Sequence, residues 1–184
     1  MILLSAGHYP ESPGACHNGF CEHEEAVRWV DILQLLLRSR TSVEVVPTGR
    51  LGKKIEWVNK FHKSVPVDLA VEIHFNGSED GKQRGSETLY CPNSVKGQRA
   101  ARIVQDSMSA LLGPSRGAKE GWYKMILPPD PRATPDIFLS KTDPVALILE
   151  PEFIYNRLVI ESLRQVTCEM LSDAIIDAAN AVKF

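Results

Sequence analysis

The stretch "VDLAVEIHF" (Val67–Phe75) decides how the rest of the chain is read. It is a β-rich run that ends at His74, so a metal-binding type of side chain is delivered at the tip of a strand. Two other runs share its character. "MILLSAG" (1–7) is a short apolar run closed by Gly7, which suits a buried strand, and "PVALILE" (144–150) is the most hydrophobic run in the chain. "SVEVVP" (42–47) adds a further strand, and "GSETLYC" (85–91) alternates like a half-exposed one.

Helical patterns separate these strands. From Glu22 to about Arg38, Val27, Val30, Leu33 and Leu37 recur at three- and four-residue steps, with acidic residues in the first turn where the helix dipole favours them. Leu51 to Lys63 carries Ile55, Val58 and Phe61 on one side, and Gly97 to Leu112 carries Ile103, Val104, Met108, Leu111 and Leu112. Leu158 to Val182 forms a long final helix. Strands alternating with helices imply an α/β fold: a twisted, mostly parallel sheet of about six strands with helices on both faces. One domain spans residues 1–184. Residues 113–137, rich in Pro and Gly, read as a long loop or insertion near the cleft.

Composition narrows the function classes. Lys+Arg number 21 against 23 Asp+Glu, for a net charge of −2, and no run of like charge is present. Without clustered Lys/Arg to displace phosphate counterions, nucleic acid is not an expected partner. No apolar run approaches the roughly 20 residues that cross a bilayer, so no stable membrane anchor is expected. "MILLSAG" lacks a basic start and is too short for a signal peptide, so no export signal is expected. Four cysteines at irregular spacing (Cys16, Cys21, Cys91, Cys168) do not read as a disulfide framework, and synthesis in a reducing cytoplasm fits.

In open α/β sheets ligands bind at the carboxyl ends of strands. His8 follows the first strand, His74 ends another and Glu150 ends "PVALILE"; Glu22 opens the helix after the first strand and can fold back over the same edge. Two histidines and a carboxylate with a fourth position open match the ligand sets of hydrolytic zinc sites, and a further carboxylate could take a proton from the bound water. The stretch "SAGHYPESPGACHNGFCEHEEA" (5–26) holds other metal-binding types. A closed, structural Cys/His set from Cys16, His17, Cys21 and His23 is the alternative, while Glu24 and Glu25 read most simply as first-turn charges facing solvent.

These residues resemble a known family, the zinc-dependent N-acetylmuramoyl-L-alanine amidases of the amidase 3 type, cell-wall hydrolases of bacteria and phage endolysins. The family's Gly-His pair and "DPGA…NGLxE" stretch correspond to Gly7-His8, Ser12-Pro13-Gly14-Ala15 and Asn18-Gly19-Phe20-Cys21-Glu22. Its "SIHxN" appears as "EIHFN", with His74 and Asn76; its "RGxK" as Arg116-Gly117-Ala118-Lys119; and its "PAVLVExGFISN" as "VALILEPEFIYN", with Glu150. The resemblance runs in order along essentially the whole chain.

The resemblance implies that His8, Glu22 and His74 hold Zn2+ and that Glu150 is the catalytic carboxylate. The implied reaction is hydrolysis of the amide joining N-acetylmuramic acid to L-alanine in peptidoglycan. Zinc would lower the pKa of its water toward about 7, with Glu150 accepting the proton and passing it to the leaving amine. Asn76, Arg116, Trp122 and Tyr123 are candidate substrate contacts. Two departures stand out. Ser5-Ala6 replaces the family's Asp-Pro, an Asp that supports the metal site from behind, and Pro151-Glu152 replaces a small residue and Gly. Competing readings are a zinc peptidase with a similar sheet and ligand set, or a catalytically dead wall-binding module. The expected setting is a monomer made in the cytoplasm that acts on the cell wall. That suits an endolysin released through a separate pore, and equally a catalytic fragment whose leader or binding domain was trimmed.

Overall fold

The computed structural model describes residues 1–78, 80–123 and 126–183. Among them the elements run β1 (Ile2–Ala6), β2 (Cys16–His17), β3 (Phe20–Cys21), α1 (Glu22–Leu37), β4 (Val43–Val45), α2 (Leu51–Ser64) and β5 (Leu69–Ile73). They continue with β6 (Ser86–Tyr90), α3 (Val95–Ser109), β7 (Ser115–Glu120), α4 (Ile137–Lys141), β8 (Val145–Glu150) and α5 (Arg157–Ala181). Six strands make one sheet in the order β4-β1-β5-β8-β6-β7. The first four are parallel; β6 pairs antiparallel with β8, and β7 pairs parallel with β6.

Side chains alternate across a strand, so each apolar run feeds both faces of the sheet. Ile2, Leu4, Val71, Ile73, Leu147 and Leu149 point into a core with α1, α3 and α5, which contribute Trp29, Leu33, Val104, Met108, Leu171 and Ile175. Leu3, Ala70, Ala146 and Ile148 face the other way, against Ile55 and Val58 of α2 and Phe138 and Leu139 of α4. Each large side chain so buried contributes about 1.5–3 kcal/mol. Continuing the alternation by one step places Ser5 after Leu3, Glu72 after Ala70 and Glu150 after Ile148. The α2/α4 face therefore turns polar at the carboxyl edge of the sheet.

Three expectations are corrected. The strand at 86–90 is buried throughout, not half-exposed, because it lies between β8 and β7 and is covered on its faces. Its polar residues are satisfied inside: Thr88 Oγ1 donates to Gln105 Oε1 (3.0 Å), whose Nε2 donates to the Ser86 carbonyl (3.1 Å). Within the stretch read as a loop, Ser115–Glu120 is the edge strand β7, while Trp122 bridges back to Pro135. Residues 124 and 125 of that stretch lie outside the described residues.

The third correction concerns the cysteines. Cys16 and Cys21 form a disulfide across the β2–β3 hairpin, where they are direct register partners. Asn18 (φ 50°) and Gly19 (φ 75°) make the two-residue turn, and two consecutive positive φ angles are what an Asn-Gly hairpin turn supplies. Cys91 and Cys168 are free. Burial pushes the Cys168 thiol up to about 12.

Candidate metal centre

The carboxyl ends of β1, β5 and β8 are tied together by backbone hydrogen bonds, Gly7 N–H to the Ile73 carbonyl (2.7 Å) and His74 N–H to the Leu149 carbonyl (2.8 Å). That lock sets the polar residues of three strands at one level. Gly7 is required here: a Cβ would sit 2.7 Å from the His74 ring. His8 then turns with a positive φ of 58°, a conformation uncommon outside glycine but one that histidine, like asparagine and aspartate, adopts more readily than other residues.

Glu22 reaches the same point from the first turn of α1. Its carboxylate accepts backbone N–H groups from two segments, Ala15 on Oε2 (3.0 Å) and Phe75 on Oε1 (3.1 Å). The same oxygens face the histidines: Oε1 lies 2.8 Å from His74 Nδ1, and Oε2 lies 3.1 Å from His8 Nε2. The two rings meet edge to face with centroids 5.0 Å apart. One ligand atom from each of His8, Glu22 and His74 lies within 4.8 Å of the others, a group able to hold a metal ion.

Charge balance at this point is strongly shifted. Burial works against ionisation of Glu22, yet the hydrogen bonds and charges of His74 and His8 outweigh it and hold its pKa far below the usual carboxylate range. Burial likewise opposes a charged His74, but its hydrogen bonds to Glu22 and Glu72 raise its pKa well above normal.

Glu150 ends β8 and lines the adjacent cavity of about 290 Å³, with His8, His74, Glu72, Lys54 and Phe138 among its other walls. Its Oε2 is enclosed and has no hydrogen-bond partner among the described residues. Enclosure, more than the neighbouring charges, drives its pKa well above that of a free glutamate.

The four residues expected to act together do meet. The other candidates are placed elsewhere. Asn76 Nδ2 (3.0 Å) and Arg116 Nε (3.1 Å) donate to Glu87, and Arg116 lies over the Phe153 ring. Trp122 and Tyr123 are not among the cavity walls, and Tyr123 N–H bonds the Thr134 carbonyl. His23 is buried with Nδ1 2.7 Å from the Gly7 carbonyl, and both Cys16 and Cys21 sulfurs are in the disulfide, so the Cys/His alternative has no thiolates to offer. Glu25 does not face solvent: it is fully buried and accepts from Trp29 Nε1 (2.9 Å), Arg28 Nη1 (3.0 Å) and Arg164 Nη2 (2.9 Å). Glu152 is also buried, and its Oε1 accepts the N–H groups of Gly85 and Phe153, both at 2.8 Å.

Two residues of the centre escaped the sequence reading. Glu72 is buried beside His74, with Oε2 3.1 Å from its Nε2, and Lys54 is buried against Glu72 Oε1 at 3.0 Å. A charged residue two positions before the histidine of an otherwise apolar strand was the available signal. Burial works against ionised Glu72, but the hydrogen bond from His74 and the charges of His74 and Lys54 prevail and bring its pKa to about 2.

Three ligand-type side chains converging beside an enclosed carboxylate, at the carboxyl edge of a largely parallel sheet, are the arrangement that metal-dependent hydrolases use. The chain belongs to the N-acetylmuramoyl-L-alanine amidase family Amidase_3, whose model matches residues 2–181. The amidase LytC of Bacillus subtilis (strain 168) is 28% identical over 130 residues, which are 68% of this chain; the match spans 26% of that longer relative. Solved structures share the fold. The catalytic domain of CwlV, an N-acetylmuramoyl-L-alanine amidase from Bacillus (Paenibacillus) polymyxa var. colistinus, superposes with a TM-score of 0.78 at 17% identity, covering 98% of both chains. The catalytic domain of an endolysin targeting Clostridia Difficile does so at 0.68 and 23% identity, covering 96% of both.

Proposed function

We propose that this chain hydrolyses the amide between the lactyl group of N-acetylmuramic acid and L-alanine in peptidoglycan, with zinc held by His8, Glu22 and His74. The observation that carries this reading is the meeting of those three side chains with Glu150, from four separate elements, in a chain of this family. The residues fit a dication. Two imidazoles and a carboxylate are a usual zinc donor set. Gly14 leaves room for them, since a Cβ there would lie 2.3 Å from Glu22 Oε2.

When bound, zinc supplies a Lewis acid that polarises a carbonyl and lowers the pKa of water to about 7. His8 Nε2, His74 Nδ1 and the Glu22 carboxylate are the atoms that would hold it. Glu150 then does the proton work. It takes a proton from the attacking water as oxygen bonds to the amide carbon, and gives it to the alanine nitrogen as the carbon–nitrogen bond breaks. Its Oε2 has no competing hydrogen bond among the described residues, and a raised pKa suits a group that must both accept and release a proton near neutrality.

Digestion of purified peptidoglycan with and without a chelator, followed by mass analysis, tests the reading. Stem peptides that begin with L-alanine, lost on chelation and restored by zinc, are expected. Cuts within the peptide, as a zinc peptidase would make, or no cuts at all, as a dead binding module would leave, overturn it.

A further inference from the structure

His74 is gripped at both ring nitrogens. Nδ1 lies 2.8 Å from Glu22 Oε1, while Nε2 lies 3.1 Å from Glu72 Oε2 on the opposite side. Glu72 is itself held rigidly. Its other oxygen accepts from Lys54 Nζ (3.0 Å) and from Ser5 Oγ (2.9 Å), and Lys54 also donates to the Ala6 carbonyl. All three of these residues are buried, at 1–3% exposure. Glu72 and Ser5 are direct register partners on the adjacent parallel strands β5 and β1. The amidase pattern that this chain resembles has a carboxylate at the position of Ser5 and a serine at that of Glu72. This chain has the two exchanged, so the pair keeps one carboxylate and one hydroxyl while the charge moves across the rung.

We propose that Glu72, seated by Lys54 and Ser5, is a positioning residue that orients His74 and selects its tautomer, keeping the proton on Nε2 so that Nδ1 is the atom turned toward the metal. This rests on the zinc reading given under Proposed function. An ionised carboxylate only accepts, so Glu22 and Glu72 each demand N–H from the nitrogen facing them; a metal on Nδ1 would take the place of the proton there, whereas Glu72 keeps the one on Nε2. A carboxylate behind a ligating histidine both fixes the ring and raises its basicity, and removing such a partner typically weakens metal binding 10–100-fold. A Lys54–Glu72 ion pair that merely braces the fold would have no such effect on the metal.

Two measurements decide the matter. Zinc affinity of the whole chain is measured by chelator competition for the wild type, Glu72→Gln and the double variant Ser5→Asp/Glu72→Ser. Expected are a loss of about 10–100-fold in Glu72→Gln and recovery to within a few-fold when the carboxylate is returned to position 5. Because Glu72→Gln leaves Lys54 buried without its charge partner and could fail to fold, nitrogen-15 NMR of the zinc-loaded wild type supplies an independent reading. A His74 protonated at Nε2 with zinc on Nδ1 supports the proposal; the reverse tautomer overturns it. Folded Glu72→Gln with unchanged zinc affinity overturns the positioning role and leaves the amidase reading intact. A wild type that binds no zinc overturns both.

Discussion

Glu22 Oε1 and His74 Nδ1 lie 2.8 Å apart although 52 residues separate them in the chain. The contact exists because α1 begins at Glu22 immediately after the β2–β3 hairpin, while the hydrogen bond from Phe75 N–H draws the same carboxylate to the end of β5. One side chain thus joins the helix start to the sheet edge. Several consequences can be measured.

The proton role proposed for Glu150 can be separated from the metal-holding role proposed for His8, Glu22 and His74. Glu150→Gln keeps the shape of the side chain but cannot take a proton, so kcat on peptidoglycan is expected to fall by about 10²–10⁴-fold. Bound zinc should remain near the wild-type amount. Elemental analysis beside a turbidity assay makes the comparison.

Gly14 tests how tightly Glu22 and His8 are packed. It has a φ of +79°, and a Cβ would lie 2.3 Å from Glu22 Oε2 and 2.6 Å from the His8 ring. Gly14→Ala is therefore expected to displace Glu22 and weaken zinc binding by at least about 100-fold, the upper end of what losing an outer partner costs. Backbone strain at positive φ adds about 1–2 kcal/mol of destabilisation. Titration with zinc and a melting curve read the two effects separately.

The disulfide closes a loop with a sequence separation of only 5. On chain entropy alone such a small loop contributes about 2 kcal/mol. Cys16→Ser/Cys21→Ser should lower unfolding stability by up to that amount in urea. Zinc affinity should also drop, because Glu22 follows Cys21 directly and loses its anchored entry. A variant as stable as the wild type would show that the Asn-Gly turn holds the hairpin unaided.

Glu87 gives a pH prediction outside the centre. Burial alone would raise its pKa, but hydrogen bonds from Lys119 (2.6 Å) and Asn76 (3.0 Å), with the charges of Lys119 and Arg116, lower it below the ordinary 4.5. A depressed folded pKa contributes stability that is present above the unfolded value and lost as pH falls through the folded one. Melting temperature should therefore decline as the pH falls below about 4.5, and Glu87→Gln should flatten that decline while lowering the melting temperature at neutral pH.

Much of the architecture was legible from the chain alone. Periodicity located the four long helices and the apolar strands, because a two-residue or a 3.6-residue repeat is written in consecutive residues, but not the short helix α4. His8, Glu22, His74 and Glu150 were legible because each sits beside the end of such an element, and the carboxyl edge of the sheet gathers element ends. Glu25 was misread as solvent-facing because its partner Arg164 comes from α5, 139 residues away. The segment Ser115–Glu120 was misread as loop because its strand character depends on pairing with β6.

By itself, then, the sequence established most element types and the α/β class, which follow from local pattern, and pointed to His8, Glu22, His74 and Glu150 through their places at element ends and the amidase resemblance. Only the tertiary structure decided which groups hold them. Cys16 met Cys21 through the turn at Asn18-Gly19, and the carboxylate missing at Ser5 reappeared at Glu72 on the neighbouring strand. The reason is register. Which residues share a rung is set by how two strands align, and nothing in either strand alone records that alignment.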